Sequence, residues 1–209
     1  MGKQSEIFRQ SEAKAWLKRN EHKLPPQEDP VLDIISRLKL SPLNVLEIGC
    51  SNGWRLDKLR KTYLCNCEGL DPCIEQPIRT AAGSYLVPGT ADNIPLASPF
   101  GGKPYDTVIF GYCLYLCDPD DYFAIASQSN AVLQDGGYLI IYDFFTNTAY
   151  SREYVHRFGI LSRKMDFAKL WLAHPFYSMI TRDIIGQGDD RTSVAVLRKN
   201  VTTAFPVRK

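Results

Sequence analysis

The stretch Leu43-Asn-Val-Leu-Glu-Ile-Gly-Cys-Ser-Asn-Gly-Trp54 constrains this chain more than any other. A run of aliphatic and β-branched residues, Leu43 to Ile48, breaks at Gly49 and again at Gly53, and an amphipathic segment follows. That order predicts a strand, a tight turn and a helix. Glycine permits positive φ in such a turn and lets a ligand lie against the backbone. The helix beyond it presents unpaired N–H groups at the turn's mouth. A dinucleotide-binding turn follows the pattern G-x-G-x-x-G, with a pyrophosphate on the helix N-terminus. Here the run is Gly49-Cys-Ser-Asn-Gly53-Trp54, so the middle and last glycines of that pattern are absent. The Glu47 carboxylate would repel a pyrophosphate and favour a cation nearby. The turn is therefore expected to take a cationic or neutral ligand.

The remainder of the chain is expected to make one α/β domain. With 209 residues, 44% of them hydrophobic, it can bury a substantial core. The formal charge is only +2, with acids and bases interspersed, which leaves no electrostatic footprint for nucleic acid or an anionic membrane. No uninterrupted apolar run reaches the roughly 18 residues needed to span a bilayer, and the N-terminus has no apolar signal core. A cytoplasmic location is expected. The six cysteines, at positions 50, 65, 67, 73, 113 and 117, read as free thiols. Cys65-x-Cys67 and Cys113-x-x-x-Cys117 lack both the usual zinc-knuckle spacing and a flanking histidine, so no metal is expected.

Taken in order, residues 1–29 read as a helical cap, Ser5 to Asn20, and a proline-rich linker, Leu24 to Pro30. Residues 30–145 read as a ligand-binding core. Asp29 can cap a helix with Pro30 at its first position. Trp54 to Leu64 repeats Leu56, Leu59 and Tyr63 as a crossover helix. Cys67 to Asp71 is a short strand ending in an acid about 20 residues past the glycine turn, placed to accept both ribose hydroxyls of a nucleoside. The same Asp71 can instead cap a helix starting at Pro72. Tyr85 to Leu96 is a strand running into a turn, in which Asp92 can serve as a simple Asx-turn residue. Tyr105 to Gly111 is a fourth strand. Asp118 to Leu133 is a helix ended by Asp135-Gly-Gly137, and Tyr138 to Phe145 is a fifth strand, apolar enough to be covered on both faces. Each strand carries glycine or acid at its carboxyl end, so one sheet edge collects the ligand contacts. Residues 146–175 mix aromatics with charges and are expected to form an inserted substrate cap. Residues 176–209 read as two antiparallel strands about a Gly/Asp turn, followed by a tail.

Four segments, Glu47 to Gly53, Asp71, Asp92 to Pro95 and the run past Gly111, together resemble the class I S-adenosylmethionine-dependent methyltransferases. The first is similar to their motif I, E/D-x-G-x-G-x-G, with Ser51 in place of the central glycine. The resemblance implies a Rossmann-like seven-stranded sheet with helices on both faces and a C-terminal antiparallel hairpin, and S-adenosylmethionine as cofactor. It implies cofactor contacts at Glu47, Gly49, Cys50 and Gly53 in the turn, ribose binding at Asp71, adenine binding at Asp92, and further contacts at Gly111 and Tyr112. A narrower likeness, carried by Ala15-Trp-Leu-Lys-Arg19-Asn20 together with the glycine turn, points to the methyltransferases of bacterial surface-sugar pathways such as pseudaminic acid biosynthesis. It would place Arg19 against the carboxylate of the cofactor's methionine. Many relatives carry a Leu-Glu-His triplet where this chain has Leu114-Tyr115-Leu116, so the role of that histidine does not transfer.

The expected function is methyl transfer to a small-molecule acceptor, such as a sugar or sugar-nucleotide hydroxyl or amine, by a monomer or homodimer with no nucleic-acid or membrane partner. An attacking oxygen or ammonium nitrogen needs a base near neutral pH. The candidates are His156 and His174 in the expected cap, then Tyr115 and Asp143. A non-catalytic cofactor-binding module is the alternative. A nicotinamide-dependent oxidoreductase is disfavoured by the glycine pattern and the C-terminal hairpin.

Overall fold

Residues 3–94, 102 and 104–206 are described by a computed structural model. The chain begins with helix α1 (Gln4–Ile7), a π-helical turn (Phe8–Glu12) and helix α2 (Ala13–Asn20), whose junctions all keep right-handed helical backbone. Helix α3 (Pro30–Arg37) starts where the sequence asks for it. Asp29 accepts the Leu32 N–H at 2.9 Å, and Pro30, which has no N–H to lose, takes the first turn. Strand β1 (Asn44–Ile48), helix α4 (Trp54–Tyr63), strand β2 (Asn66–Asp71), strand β3 (Ile78–Arg79) and strand β4 (Tyr85–Pro88) follow. Next come strand β5 (Tyr105–Gly111), helix α5 (Tyr122–Val132) and strand β6 (Leu133–Phe144). A hairpin of β7 (Tyr150–Glu153) and β8 (Leu161–Lys164), a turn of helix α6 (Lys169–Leu172), strands β9 (Tyr177–Ile185) and β10 (Thr192–Lys199), and helix α7 (Val201–Ala204) complete the chain.

The main sheet runs β3-β4-β2-β1-β5-β6-β10-β9. Strands β4, β2, β1, β5 and β6 are parallel, and β10 and β9 add an antiparallel hairpin at one side. Alternate residues of each strand serve opposite faces. Val45, Ile109 and Ile140 pack with Val31, Ile34 and Ile35 of α3 and Leu56 and Leu59 of α4. Leu46, Val108, Phe110 and Leu139 pack on the other face with Ile125 of α5 and Trp171 of α6. Strand order reverses at β1, which places the carboxyl ends of β2, β1 and β5 around a switch-point crevice.

Several sequence expectations are corrected. The main sheet has eight strands instead of seven, because the two-residue β3 pairs with the outer edge of β4. The helix expected at Pro72 does not form. Pro77 lacks an N–H and drives Gln76 towards extended backbone, so the segment turns and enters β3. Helix α5 stops at Val132, and β6 begins before the glycine pair, with a register shift opposite Tyr105 and Thr107. The tail expected from Asn200 contains α7, fastened by the Val201 N–H donating to Asp135 at 2.7 Å. Pro95 and Leu96, and most of the loop expected at 97–103, lie outside the described residues. Among the described residues no helix is long and apolar enough to cross a membrane.

Candidate functional site

The carboxyl ends of β1, β2, β4 and β5 surround a cleft of about 810 Å³, part of it open to solvent. One wall is the glycine turn. Gly49 has φ +79°, and a Cβ there would fall 2.6 Å from the Cβ of Cys113, so only glycine lets the two loops touch. Ser51 stands in the left-handed region at φ +52°, its N–H donates to Asp71 Oδ2 at 2.8 Å, and its hydroxyl is buried without a partner. Asp71 Oδ1 accepts the Cys73 N–H at 2.8 Å. The carboxylate is thus fixed at the end of β2, and burial raises its pKa against those N–H donors.

The far wall comes from the loops after β4 and β5. Asp92 is positioned through its backbone: its carbonyl accepts Gln128 Nε2 at 2.8 Å, and the same amide accepts the Ile94 N–H at 2.7 Å. Tyr112 has φ +62°, a strained setting for a side chain this large. Its ring packs 4.9 Å from Tyr115 and 5.1 Å from Phe144. Asp143, at the end of β6, lies fully beneath this wall. It accepts the N–H groups of Leu114 at 2.8 Å, Tyr115 at 3.3 Å and Phe144 at 2.7 Å, and burial lifts its carboxyl to about 7 despite them. The N-terminal helix closes the cleft with Ser5, Phe8, Ala13 and Trp16. It is held by Gln4, whose amide bonds the Leu116 carbonyl at 2.7 Å and the Leu161 N–H at 2.7 Å.

Of the expected cofactor residues, Gly49, Asp71, Asp92, Gly111 and Tyr112 line the cleft together. Glu47 is buried behind it, paired with Arg55, which also forks onto both oxygens of Asp29 at 3.0 and 2.9 Å. Burial pushes Glu47 up to about 7, and the Arg55 charge opposes that rise. Burial also works against the Arg55 charge, and its two carboxylates outweigh that cost. Cys50 is buried with its thiol towards the Ser51 carbonyl, and Gly53 caps α4 at φ +80°. Arg19 bonds Glu12 and the Tyr154 hydroxyl, leaving its Nε buried and unpartnered.

Of the expected catalytic residues, Tyr115 lines the cleft and Asp143 supports it from below. His156 is exposed at the end of the β7–β8 hairpin, its ring 5.2 Å from that of Tyr154. His174 is exposed beside Phe176 and Phe205, away from the cleft lining. Sequence reasoning did not assign Phe8, Trp16, Thr90, Cys113, Asp118 or Asp121 to the site. Ile7, Phe8, Ala15, Trp16 and Leu17 form a loose apolar stripe between Ser5 and Asn20, and that was the available signal for Phe8 and Trp16, since a stripe with no partner in its own element must cover something.

The model of the methyltransferase domain family matches residues 8–183, and the chain belongs to that family. Among solved structures, the 1,6-didemethyltoxoflavin-N1-methyltransferase of Burkholderia thailandensis, with 1,6-didemethyltoxoflavin and S-adenosylhomocysteine bound, superposes with a TM-score of 0.70 at 16% identity, over 93% of this chain and 88% of that one. The N-methyltransferase NodS of Bradyrhizobium japonicum WM9, in complex with S-adenosylhomocysteine, gives 0.58 at 18% identity over 90% and 98%. A SAM-dependent methyltransferase of Methanosarcina mazei gives 0.62 at 14% identity over 83% and 98%. These share the α/β fold with its parallel centre and C-terminal hairpin. By sequence, no curated protein matches the chain.

Proposed function

We propose that this chain binds S-adenosylmethionine in the cleft and methylates a small molecule seated beside Tyr112 and Tyr115. The observation that carries this reading is the Asp71 carboxylate. It lines the cleft at the end of β2 and is locked there by the Ser51 and Cys73 N–H groups, where an acid receives ribose hydroxyls in nucleoside-binding α/β sheets. The Ser51 hydroxyl, buried in that lining without a partner, fits such a ligand; Arg19 Nε, buried without a partner outside the lining, is the group proposed for the methionine carboxylate. When bound, the cofactor supplies a methyl carbon activated by its sulfonium charge.

The chain's own residues then divide the work. Asp71 takes the ribose and Asp92 the adenine amino group. Gly49, Gly111 and Tyr112 receive the methionyl end, and Arg19 Nε receives its carboxylate. Glu47, Cys50 and Gly53 act from behind the wall: Glu47 orders Arg55, Cys50 fills the space under the turn, and Gly53 starts α4 so that the turn keeps its shape. Tyr115 is the polar group nearest the acceptor, held by the Asp143 carboxylate through its own N–H. His156 and His174 stand outside the cleft lining. Residues 146–175 meet the first helix at Gln4 and Arg19, which is the contact of a cap. Holding the acceptor in near-attack geometry away from water is the main contribution such a cleft can make. Two of the similar structures are named as N-methyltransferases, which supports a small-molecule acceptor. The surface-sugar association gains no support from these matches. A cytoplasmic monomer or homodimer belongs to the same proposal.

Calorimetric titration of wild type and Asp71→Ala with S-adenosylmethionine, S-adenosylhomocysteine and both nicotinamide dinucleotides tests this. Binding of the adenosyl compounds alone, lost in the mutant, is expected. Nicotinamide binding, or adenosyl binding indifferent to Asp71, overturns the reading. A cofactor-binding module without turnover is favoured by one observation, that neither His156 nor His174 lines the cleft. Transfer of labelled methyl from bound cofactor to any component of a small-metabolite extract would eliminate it.

A further inference from the structure

We infer that the acceptor side of this cleft is built for a flat, non-anionic ring and rejects phosphorylated acceptors such as sugar nucleotides; the inference rests on the methyltransferase reading above. The charge on the walls is one-sided. Asp71, Asp92, Asp118 and Asp121 line the cleft, and among the described residues no lysine, arginine or histidine does; with Asp71 and Asp92 given to the ribose and adenine, Asp118 and Asp121 are the acids left to the acceptor.

Four of the cations around it are paired with acids, and Arg163, bonded to Gln4 Oε1 at 3.3 Å and the Leu161 carbonyl at 2.8 Å, stands outside the lining. Lys3 is bonded to Asp121 at 3.0 Å. Arg55 is shared between Glu47 and Asp29. Lys164 is fully buried against Asp190, its ammonium 3.7 Å from the Phe144 ring centre. Arg19 is held by Glu12 and Tyr154, with its remaining Nε assigned to the methionyl carboxylate. A phosphate entering here would lose its water opposite carboxylates, with no charged donor to replace it.

The same wall is aromatic. Tyr115 stands edge-on to Phe144 at 5.1 Å and tilted to Tyr112 at 4.9 Å, and Trp16 and Phe8 reach the cleft from the first helix. Rings pack against such edges and faces with little ordering of their own. A neutral or cationic ring meets favourable packing and a negative field together, whereas a sugar phosphate meets neither.

The test is calorimetric titration of the S-adenosylhomocysteine-loaded protein with 1-naphthol, 1-naphthyl phosphate and UDP-glucose. The expected result is that 1-naphthol binds at least about tenfold more tightly than its phosphate, the size of one unfavourable charge contact, and that UDP-glucose gives no binding heat. Trp16→Leu and Tyr115→Leu, each checked for a native circular-dichroism spectrum, should each weaken 1-naphthol about tenfold or more. Equal or tighter binding of either phosphate compound overturns the inference, as does a protein that binds S-adenosylhomocysteine but not 1-naphthol. Failure to bind S-adenosylhomocysteine at all overturns the methyltransferase reading and this inference with it.

Discussion

The Ser51 N–H and the Asp71 carboxylate meet at 2.8 Å, which fastens the turn after β1 to the end of β2. The two residues that a nucleoside would touch first are therefore one unit. A change at either moves both.

Asp71→Asn keeps the side-chain volume and removes the charge. It replaces one acceptor oxygen with a donor that faces an N–H group. Hydrogen bonds to charged groups contribute about 1.5–3 kcal/mol, so adenosylhomocysteine affinity should fall tenfold or more by calorimetry. An unchanged affinity would mean that the ribose does not lie at Asp71.

Ser51→Gly should stabilise the protein without ligand. A side chain in the left-handed region costs about 1–2 kcal/mol, and the buried Ser51 hydroxyl without a partner adds to that. Glycine's extra freedom in the unfolded chain returns about 0.5–1 kcal/mol. A net gain of about 1 kcal/mol would raise Tm by about 2–4 °C in a chain of this size. A lower Tm in differential scanning calorimetry would show that the hydroxyl is satisfied in solution.

Arg55→Leu strands two buried carboxylates, Glu47 and Asp29, without their shared cation. Removing one partner of a buried pair costs about 3–5 kcal/mol. Urea unfolding should show a loss of that order, and Glu47→Gln, which leaves Arg55 with Asp29, should cost less. Equal losses would place the whole effect in the Arg55–Glu47 pair and none in Asp29.

Stability should fall with rising pH between about 4.5 and about 7, in part through Glu68. Burial lifts its carboxyl from 4.5 to about 7, and the hydrogen bond from the Tyr105 hydroxyl opposes the rise. In that window the folded state keeps a proton that the unfolded state has released, so folding weakens as pH climbs. Below it both forms are protonated and the penalty is absent. Glu68→Gln still accepts from Tyr105 and should flatten the slope in denaturant titrations across these pH values. A wild-type slope retained in full would assign the effect to Glu47 and Asp143.

How much of this was legible depended on whether the signal was local. Leu43 to Trp54 announces strand, turn and helix within twelve letters, and the Asp29-Pro30 cap and the strand at Tyr105 to Gly111 are equally self-contained. The β7–β8 hairpin was not legible, because Tyr150-Ser-Arg-Glu153 alternates too briefly to separate a strand from a charged surface helix. Pro77 carried enough information to rule out a helix after Asp71, and its effect on Gln76 was the signal to weigh. The bonds that shape the site join positions far apart, as Arg55 joins 29 to 47 and Asp143 joins β6 to Tyr115. No periodicity encodes such partners.

Gln4→Ala should loosen the first helix while leaving the sheet intact. The buried side-chain amide bonds both Leu116 and Leu161, whereas the main-chain N–H of residue 4, which donates to Asp118 at 2.7 Å, survives the substitution. Hydrogen exchange should rise in residues 5–20 and stay protected in β1 and β5. Uniform protection would mean that Phe8 and Trp16 hold the helix without the latch.

Gln4 and Leu161 are 157 residues apart in the chain. During synthesis at about 5–20 residues per second, the helix that roofs the cleft emerges roughly eight to thirty seconds before the strand that anchors it. Through that interval the glycine turn and its acids can assemble with their roof untethered. A nascent chain thus passes through a stage that is open to surrounding small molecules, and the cleft closes only after Leu161 has emerged.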